Sequence, residues 1–308
     1  MRTDDWQLTE DVDDFLARAG GFLRSRPALH TMPLTVTEKL RAHGPDVYGA
    51  GATLFGRLER GGEVCATFYR LPSRGLSLTP LTPGQADSLA AYLAGLGRSF
   101  PNASGDHDTA TAFAEAWQRH TGVTATLATR IRLYRLGELT PPEPGPEGRG
   151  RTAGGRDLDQ VVRWCGEFVD TVGEVPAVDA ASWAGSRFAD RHFTFWETPD
   201  GTPVSMAAAT SMVAGMVRVD PVYTPAHLRG RGYAGAVTVA VSRAALAAGA
   251  SDVVLFADPA NATSNALYQR IGYVPVAEWA VYEFSGPNLP EGSTPSRTAM
   301  DPDAPEGV

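Results

Sequence analysis

Arg229-Gly230-Arg231-Gly232-Tyr233-Ala234 is the stretch whose residue types and spacing bear most directly on chemistry. It follows an apolar segment, residues 216–223, and opens a helix-like segment, residues 235–248. Glycines at a helix start let backbone N–H groups approach a ligand with no Cβ in the way. Those N–H groups have no partner inside the helix, and the positive end of the helix dipole lies beside them. Together they favour a phosphate. A phosphorylated cofactor is therefore expected here.

Two readings of the run compete. Residues Gly230 to Gly235 spell G-x-G-x-x-G, the dinucleotide fingerprint, and Asp258 ends the next apolar run, where a ribose-binding acid is sought. The context argues against it. In a dinucleotide fold the first glycine ends the strand directly. Here residues 224–229 intervene, and Pro225 cannot extend a central ladder.

The elements that must position this run are legible as periodicities. Residues 11–24, 85–96, 109–120, 158–172 and 263–271 have helical spacing. Residues 52–58 and 64–71 form strands across Gly61-Gly62, with a short strand at 76–81 and another at 128–136. In the second half, 192–197 and 203–210 pair across Asp200-Gly201, followed by strands at 215–223, 253–257 and from 273. Residues 137–155, with six glycines and four prolines, read as a flexible loop or linker. Beyond Ser285 the chain has no apolar periodicity, and a disordered tail is expected over 286–308.

The two halves echo each other. Thr79-Pro80-Leu81-Thr82-Pro83 follows the first hairpin, and Asp220-Pro221-Val222-Tyr223-Thr224-Pro225 follows the second. Trp117-Gln118-Arg119 precedes Gly122, as Tyr268-Gln269-Arg270 precedes Gly272. Read as a duplication, the first copy has lost the phosphate run, since Gly84-Gln85-Ala86-Asp87 stands in its place, and Trp117 replaces Tyr268. One active site per chain is then expected, in the second half.

With Asn261-Ala262-Thr263-Ser264-Asn265-Ala266-Leu267-Tyr268 and the following Gly272-Tyr273, the second half resembles the GCN5-related N-acetyltransferases over residues 126–285. The run from Arg229 fits that family's R/Q-x-x-G-x-G/A motif, and residues 261–273 its N-x6-Y-x3-G-F/Y segment. The resemblance implies an α/β (α+β) fold of two such domains, each a mixed, mostly antiparallel sheet flanked by helices. Their implied bounds are 1–125 for a degenerate copy and 126–285 for a catalytic one.

It also implies acetyl-CoA as cofactor. Val222, Tyr223 and Thr224 would meet the pantetheine arm and the acetyl carbonyl. The amides of Gly230, Arg231, Gly232, Tyr233, Ala234 and Gly235 would take the pyrophosphate, with Arg229 and Arg231 beside them. Asn261, Ser264 and Asn265 would contact pantetheine, although Asn261 reads equally well as a helix cap. Tyr268 is the implied general acid for the departing thiolate. For a general base, Glu197 and Asp220 are the candidates, with His192, Glu278 and Glu283 behind them. Arg218 stands where some relatives face such a base.

Composition sets the outer bounds. At 308 residues the chain can bury two cores. A net charge of −8 disfavours non-specific nucleic-acid binding and suits an amine-bearing acceptor. Lys39 is the single lysine among 27 basic residues, a bias that implies no special chemistry. Cys65 and Cys165 read as buried thiols, so no metal and no cysteine nucleophile is expected. The acidic N-terminus lacks a signal-peptide core and no apolar run spans a bilayer, so a cytoplasmic protein is expected. The function expected is acetyl transfer to a primary amine of a small molecule or peptide, with the chain a monomer or, alternatively, a homodimer. A catalytically inactive acyl-CoA-binding sensor or scaffold is the alternative, against which Tyr268 argues.

Overall fold

The computed structural model describes residues 5–72, 74–172 and 190–286, which divide into two compact units. One holds residues up to 131 together with the segment from 277; the other holds 132–276. The tail expected over 286–308 lies, from 287 on, outside the described residues. Each unit is a mixed, mostly antiparallel sheet with helices against it. Among the described residues no helix is long and apolar enough to cross a membrane.

The first unit contains β1 (Asp5–Thr9), α1 (Val12–Ser25), α2 (Thr31–His43), β2 (Leu54–Arg60), β3 (Glu63–Arg70), β4 (Leu76–Leu78), α3 (Pro83–Gly95), β5 (Asn102–Asp106) and α4 (His107–Thr121). Asp11 starts α1 by accepting the Asp13 and Asp14 amides at 2.8 and 2.9 Å, satisfying donors that the helix itself leaves open. The last strand, β12 (Tyr273–Ser285), closes this sheet: its residues Trp279–Glu283 pair antiparallel with β5. Its sequence shows where a closing strand begins, at Tyr273, but not which sheet it closes. Trp117, Phe100, Phe113 and Phe284 pack together in the core, with ring centroids 5.1–6.2 Å from Trp117. The aromatic that stands in place of Tyr268 is thus core filling.

Three elements here have little sequence signal. β1 is five residues long, and β5 is Asn-Ala-Ser-Gly-Asp, with no apolar alternation. α2 carries Pro33 in its first turn and buries Thr31, Leu34, Val36, Thr37 and Leu40 on several sides, which erases the one-sided stripe that marks a helix.

The second unit is entered through β6 (Thr124–Leu136) and contains β7 (Arg149–Thr152), α5 (Leu158–Val172), β8 (Arg191–Glu197), β9 (Pro203–Thr210), β10 (Met216–Tyr223), α6 (Tyr233–Ala247), β11 (Asp252–Ala257) and α7 (Ala262–Arg270). The strand order is β6-β11-β10-β9-β8-β7. Alternating side chains give the sheet two apolar faces. Ala207, Ala209, Val217 and Val219 pack under α6 and α7; Phe193, Phe195, Met206 and Tyr223 pack under α5 through Val161, Trp164 and Val169. Cys165 is buried in the α5 core and Cys65 is half-buried in the first unit, and the two are not joined in a disulfide.

The segment read as a flexible linker, 137–155, is a correction. It contains β7, paired antiparallel with β8 from Arg149↔Glu197 to Thr152↔Thr194. Gly150 is needed because a Cβ there would stand 2.8 Å from Ala240 on α6. Arg151 donates to Glu197 at 2.6 Å and to both Asp157 oxygens at 2.8 and 2.9 Å, which ties the segment to β8 and to the start of α5. Glycine and proline content signals irregular backbone, but ion pairs and a close helix approach order it here.

Each unit has, among the described residues, a parallel strand pair joined by a crossover helix: β4-α3-β5 and β10-α6-β11. The echo between the halves therefore has a structural counterpart at the place where a ligand site is expected.

Candidate functional site

The site in the second unit begins where a ladder stops. β10 pairs with β11 only from Met216↔Asp252 to Arg218↔Val254. Beyond that point β11 continues against β6, and β10 continues against β9 with a bulge between Val219 and Val222. The two parallel strands thus diverge along Val219–Tyr223, opening the sheet at the carboxyl end of β10. Crevices at this place are the common ligand sites of α/β crossovers.

A turn at residues 226–228 then leads into the glycine run. Arg229 Nε donates to the Thr224 carbonyl at 3.0 Å and pins the loop to the strand end. Gly230 and Gly232 have φ of +78° and +82°, a region that side-chain-bearing residues rarely adopt. Gly232 is the N-cap of α6, and no side chain caps that end. Nothing lies within 4 Å of where a Gly230 Cβ would stand, whereas Pro146 flanks Gly232 at 3.6 Å from such a Cβ. An uncapped helix start with left-handed glycines fits a pyrophosphate, held by the amides from Gly230 to Gly235 with Arg231 exposed beside them.

The first unit treats its crossover differently. Thr82 caps α3 in a reciprocal capping box with Gln85, and Pro83 takes the first helical position. The strand end is stitched by Thr109, whose hydroxyl accepts the Leu81 amide at 2.8 Å, and by Thr79, whose hydroxyl accepts the Thr67 amide at 2.8 Å. Backbone donors that a ligand would need are already used by the chain.

Tyr268, on α7, is buried against Tyr134 and Tyr273, with ring centroids 6.2 and 6.1 Å away. Burial, and then the charge of Asp220, hold its phenol far above the ordinary tyrosine range, so it remains a proton donor at any working pH. Asp220 is thus the candidate acid whose charge reaches Tyr268. Asp220 sits in the bulge of β10, and the buried Arg191 donates to its carboxylate at 2.5 Å and to its backbone carbonyl. Arg191 was not singled out by its sequence context; as the first residue of β8 it looks like any strand-end arginine.

Glu197 is placed elsewhere. Its carboxylate is committed to Arg151 at the β7–β8 seam, and β9 separates β8 from β10, roughly 10 Å of sheet. His192 is exposed on β8, Arg218 is buried on β10, and Glu278 and Glu283 belong to the β12 segment in the first unit.

The asparagines divide by role. Asn261 is the N-cap of α7, accepting the Ser264 amide at 3.0 Å. Asn265 is buried, accepts from the Tyr134 hydroxyl at 2.6 Å, and donates to the Asp258 and Asn261 carbonyls at 2.7 Å each. These bonds fix the β11–α7 turn and so the position of Tyr268 one helical turn later. Asp258, the acid of the dinucleotide reading, instead accepts the Ala260 amide at 2.8 Å within that turn. Along β10, Val222 is half-buried, while the Tyr223 carbonyl accepts from Ser205 at 2.9 Å and the Thr224 hydroxyl bonds Ser205 at 2.8 Å. The Tyr223 side chain points to α5, where its hydroxyl donates to Glu167 at 2.6 Å. Glu167 is a second residue the sequence did not single out.

Comparison with known proteins falls on the same half. The family model described as FR47-like protein matches residues 205–280, from β9 through the glycine run and Tyr268. No curated protein matches the chain in sequence. Among solved structures, a GCN5-related N-acetyltransferase from Sphaerobacter thermophilus superposes with a TM-score of 0.58 at 17% identity, covering 92% of this chain and 97% of that one. An acetyltransferase of the same family from Colwellia psychrerythraea gives 0.55 at 10% identity, covering 91% and 100%. A tandem protein of that family from the clavulanic acid biosynthesis pathway gives 0.55 at 14% identity, covering 92% and 100%. Identities this low speak for the fold, and the fold extends over both units. The fold of this chain is thus the one seen in solved GCN5-related N-acetyltransferases, and its glycine-run half also matches the FR47-like model.

Proposed function

We propose that the protein is an acetyl-CoA-dependent N-acetyltransferase that moves the acetyl group directly to a primary amine of a small molecule or peptide. The observation that carries this reading is the uncapped glycine start of α6 at the mouth of the β10–β11 divergence, with the protonated Tyr268 coupled to Asp220 across it. When bound, acetyl-CoA supplies an acetyl group activated as a thioester. The amides of residues 230–235 hold its pyrophosphate, and the diverging strand Val222–Thr224 orients the arm. Holding amine and acyl group together supplies most of the rate, so little covalent chemistry falls to the protein. Tyr268 Oη holds the proton that the departing sulfur requires. Asp220, committed to Arg191, sets the field at that phenol.

In this reading residues 126–285 carry the reaction, and 1–125 is a degenerate copy whose capping box and threonine stitches have replaced a cofactor site. The protein works as a cytoplasmic monomer. Isothermal titration with acetyl-CoA tests the reading: saturable one-to-one binding is expected, and no heat at millimolar ligand would refute it. Gly232→Ala is expected to weaken that binding about tenfold, because a left-handed residue with a Cβ is disfavoured by 1–2 kcal/mol, to order of magnitude, and crowds the amides. Equal affinity in the variant would remove the glycine run from the site. Screening an amine panel with a free-thiol readout identifies the acceptor.

A further inference from the structure

Glu167 contrasts with three acids of the second unit that are held by arginines. Asp157 and Glu197 share the Arg151 guanidinium, and Asp220 is held by Arg191. Glu167 is half-buried on α5, and among the described residues its carboxylate makes one hydrogen bond, accepted at Oε2 from the Tyr223 hydroxyl at 2.6 Å, with no cation in ion-pair range. A phenol gives the carboxylate a donor but no countercharge. Oε1 retains its lone pairs for a further donor, and a partly desolvated carboxylate favours a charged one.

Tyr223 ends β10, five residues beyond the last residue paired with β11, on the segment that lines the divergence. Its side chain leaves the sheet toward α5 and packs beside Trp164, ring centroids 6.2 Å apart. Burial first, and Glu167 second, push its phenol up to about 12, so it stays a donor to Glu167 at working pH. Arg229 acts the other way on Tyr223, through its charge and its nearness to the phenol; its Nε donates to the Thr224 carbonyl and it forms no ion pair with Glu167. The fold therefore holds, next to the strand end at which acyl transfer is proposed, a carboxylate that has no ion-pair partner among the described residues.

We infer that Glu167 is the specificity residue for the acceptor: its free carboxylate oxygen receives the ammonium of a primary amine, and the Tyr223 hydroxyl fixes that carboxylate in position. An ammonium brings three donors and a full charge. An alcohol of the same shape brings one donor and none of the charge. The fate of the bound amine rests on the acyltransferase reading above, but selection of the ammonium stands apart from it.

Fluorine NMR on the full chain separates the two. The probe is 4-fluorobenzylammonium, with 4-fluorobenzyl alcohol as the uncharged match. Wild type is expected to broaden the ammonium signal at millimolar probe and to leave the alcohol sharp. Glu167→Gln retains an acceptor for Tyr223 and removes only the charge; it is expected to weaken ammonium binding about tenfold, the size of a charge-assisted hydrogen bond. Glu167→Ala should give a similar loss, so the result does not hang on one variant, and thermal melts report whether each is folded. Ammonium affinity in Glu167→Gln equal to wild type, or a wild type that binds the alcohol as well as the ammonium, would overturn the inference. Ammonium selection through Glu167 in a protein that binds no acetyl-CoA would sustain it and sink the acyltransferase reading instead.

Discussion

Tyr268→Phe lowers turnover about 100-fold, the lower range for removing a positioned proton donor, and leaves coenzyme affinity within about twofold. The ring still fills the space between Tyr134 and Tyr273, so the fold is kept and only Oη is lost. The phenol is held high by burial and by Asp220, so in wild type its ionisation brings no loss of rate below about pH 10. A basic limb that lies below this range and vanishes in the variant would mean that the phenol ionises in the working range. Initial rates by thiol release across pH, with titration of coenzyme A into both proteins, give the comparison. Turnover within twofold of wild type would leave Tyr268 a packing residue.

Arg151→Met destabilises the second unit by about 3 kcal/mol, the usual scale when one member of a buried charge cluster is removed. Two nearly buried carboxylates, Asp157 and Glu197, lose their shared partner, and methionine fills the stem but carries no charge. The Arg151 hydrogen bonds, chiefly, hold Asp157 down at about 2. A carboxylate depressed in the folded state contributes stability above its unfolded value, near 4, and loses it as the pH falls through about 2. In the variant that contribution is gone, so the gap between the two proteins narrows as the pH is lowered toward about 2. Urea unfolding near neutral pH and at about pH 3 measures both effects. An unchanged midpoint near neutral pH would show that β7 is held by its ladder alone.

Much of the site was legible because local chemistry writes it. The glycine run and its helix start follow from backbone geometry, and the Asn261 cap follows from a side chain bonding its own neighbours. The hairpins at Gly61-Gly62 and Asp200-Gly201 follow from turn chemistry in the same way. What the sequence could not express were interactions between residues far apart in the chain. β7 is ordered by Arg151 reaching Glu197, 46 positions away, and β5 exists because β4 and β12 flank it. Glu167 sits on the border of the apolar stripe of α5, where a glutamate ordinarily faces water. Only the pairing of Tyr223 with it gives that carboxylate a place.

The sequence by itself determined that a glycine run opens a helix at residues 229–235, that a tyrosine follows on a later helix, and that the first half carries no such run. Each depends on residues adjacent in the chain, and adjacency is what a sequence records. Tertiary structure alone decided which of the candidate acids has a charge that reaches Tyr268. Asp220 and Glu197 are equivalent as strand-end acids; Asp220 sits in the bulge of β10, held by the buried Arg191, while Arg151 holds Glu197 two strands away. Strand order and ion pairing set that choice, and both arise from long-range packing.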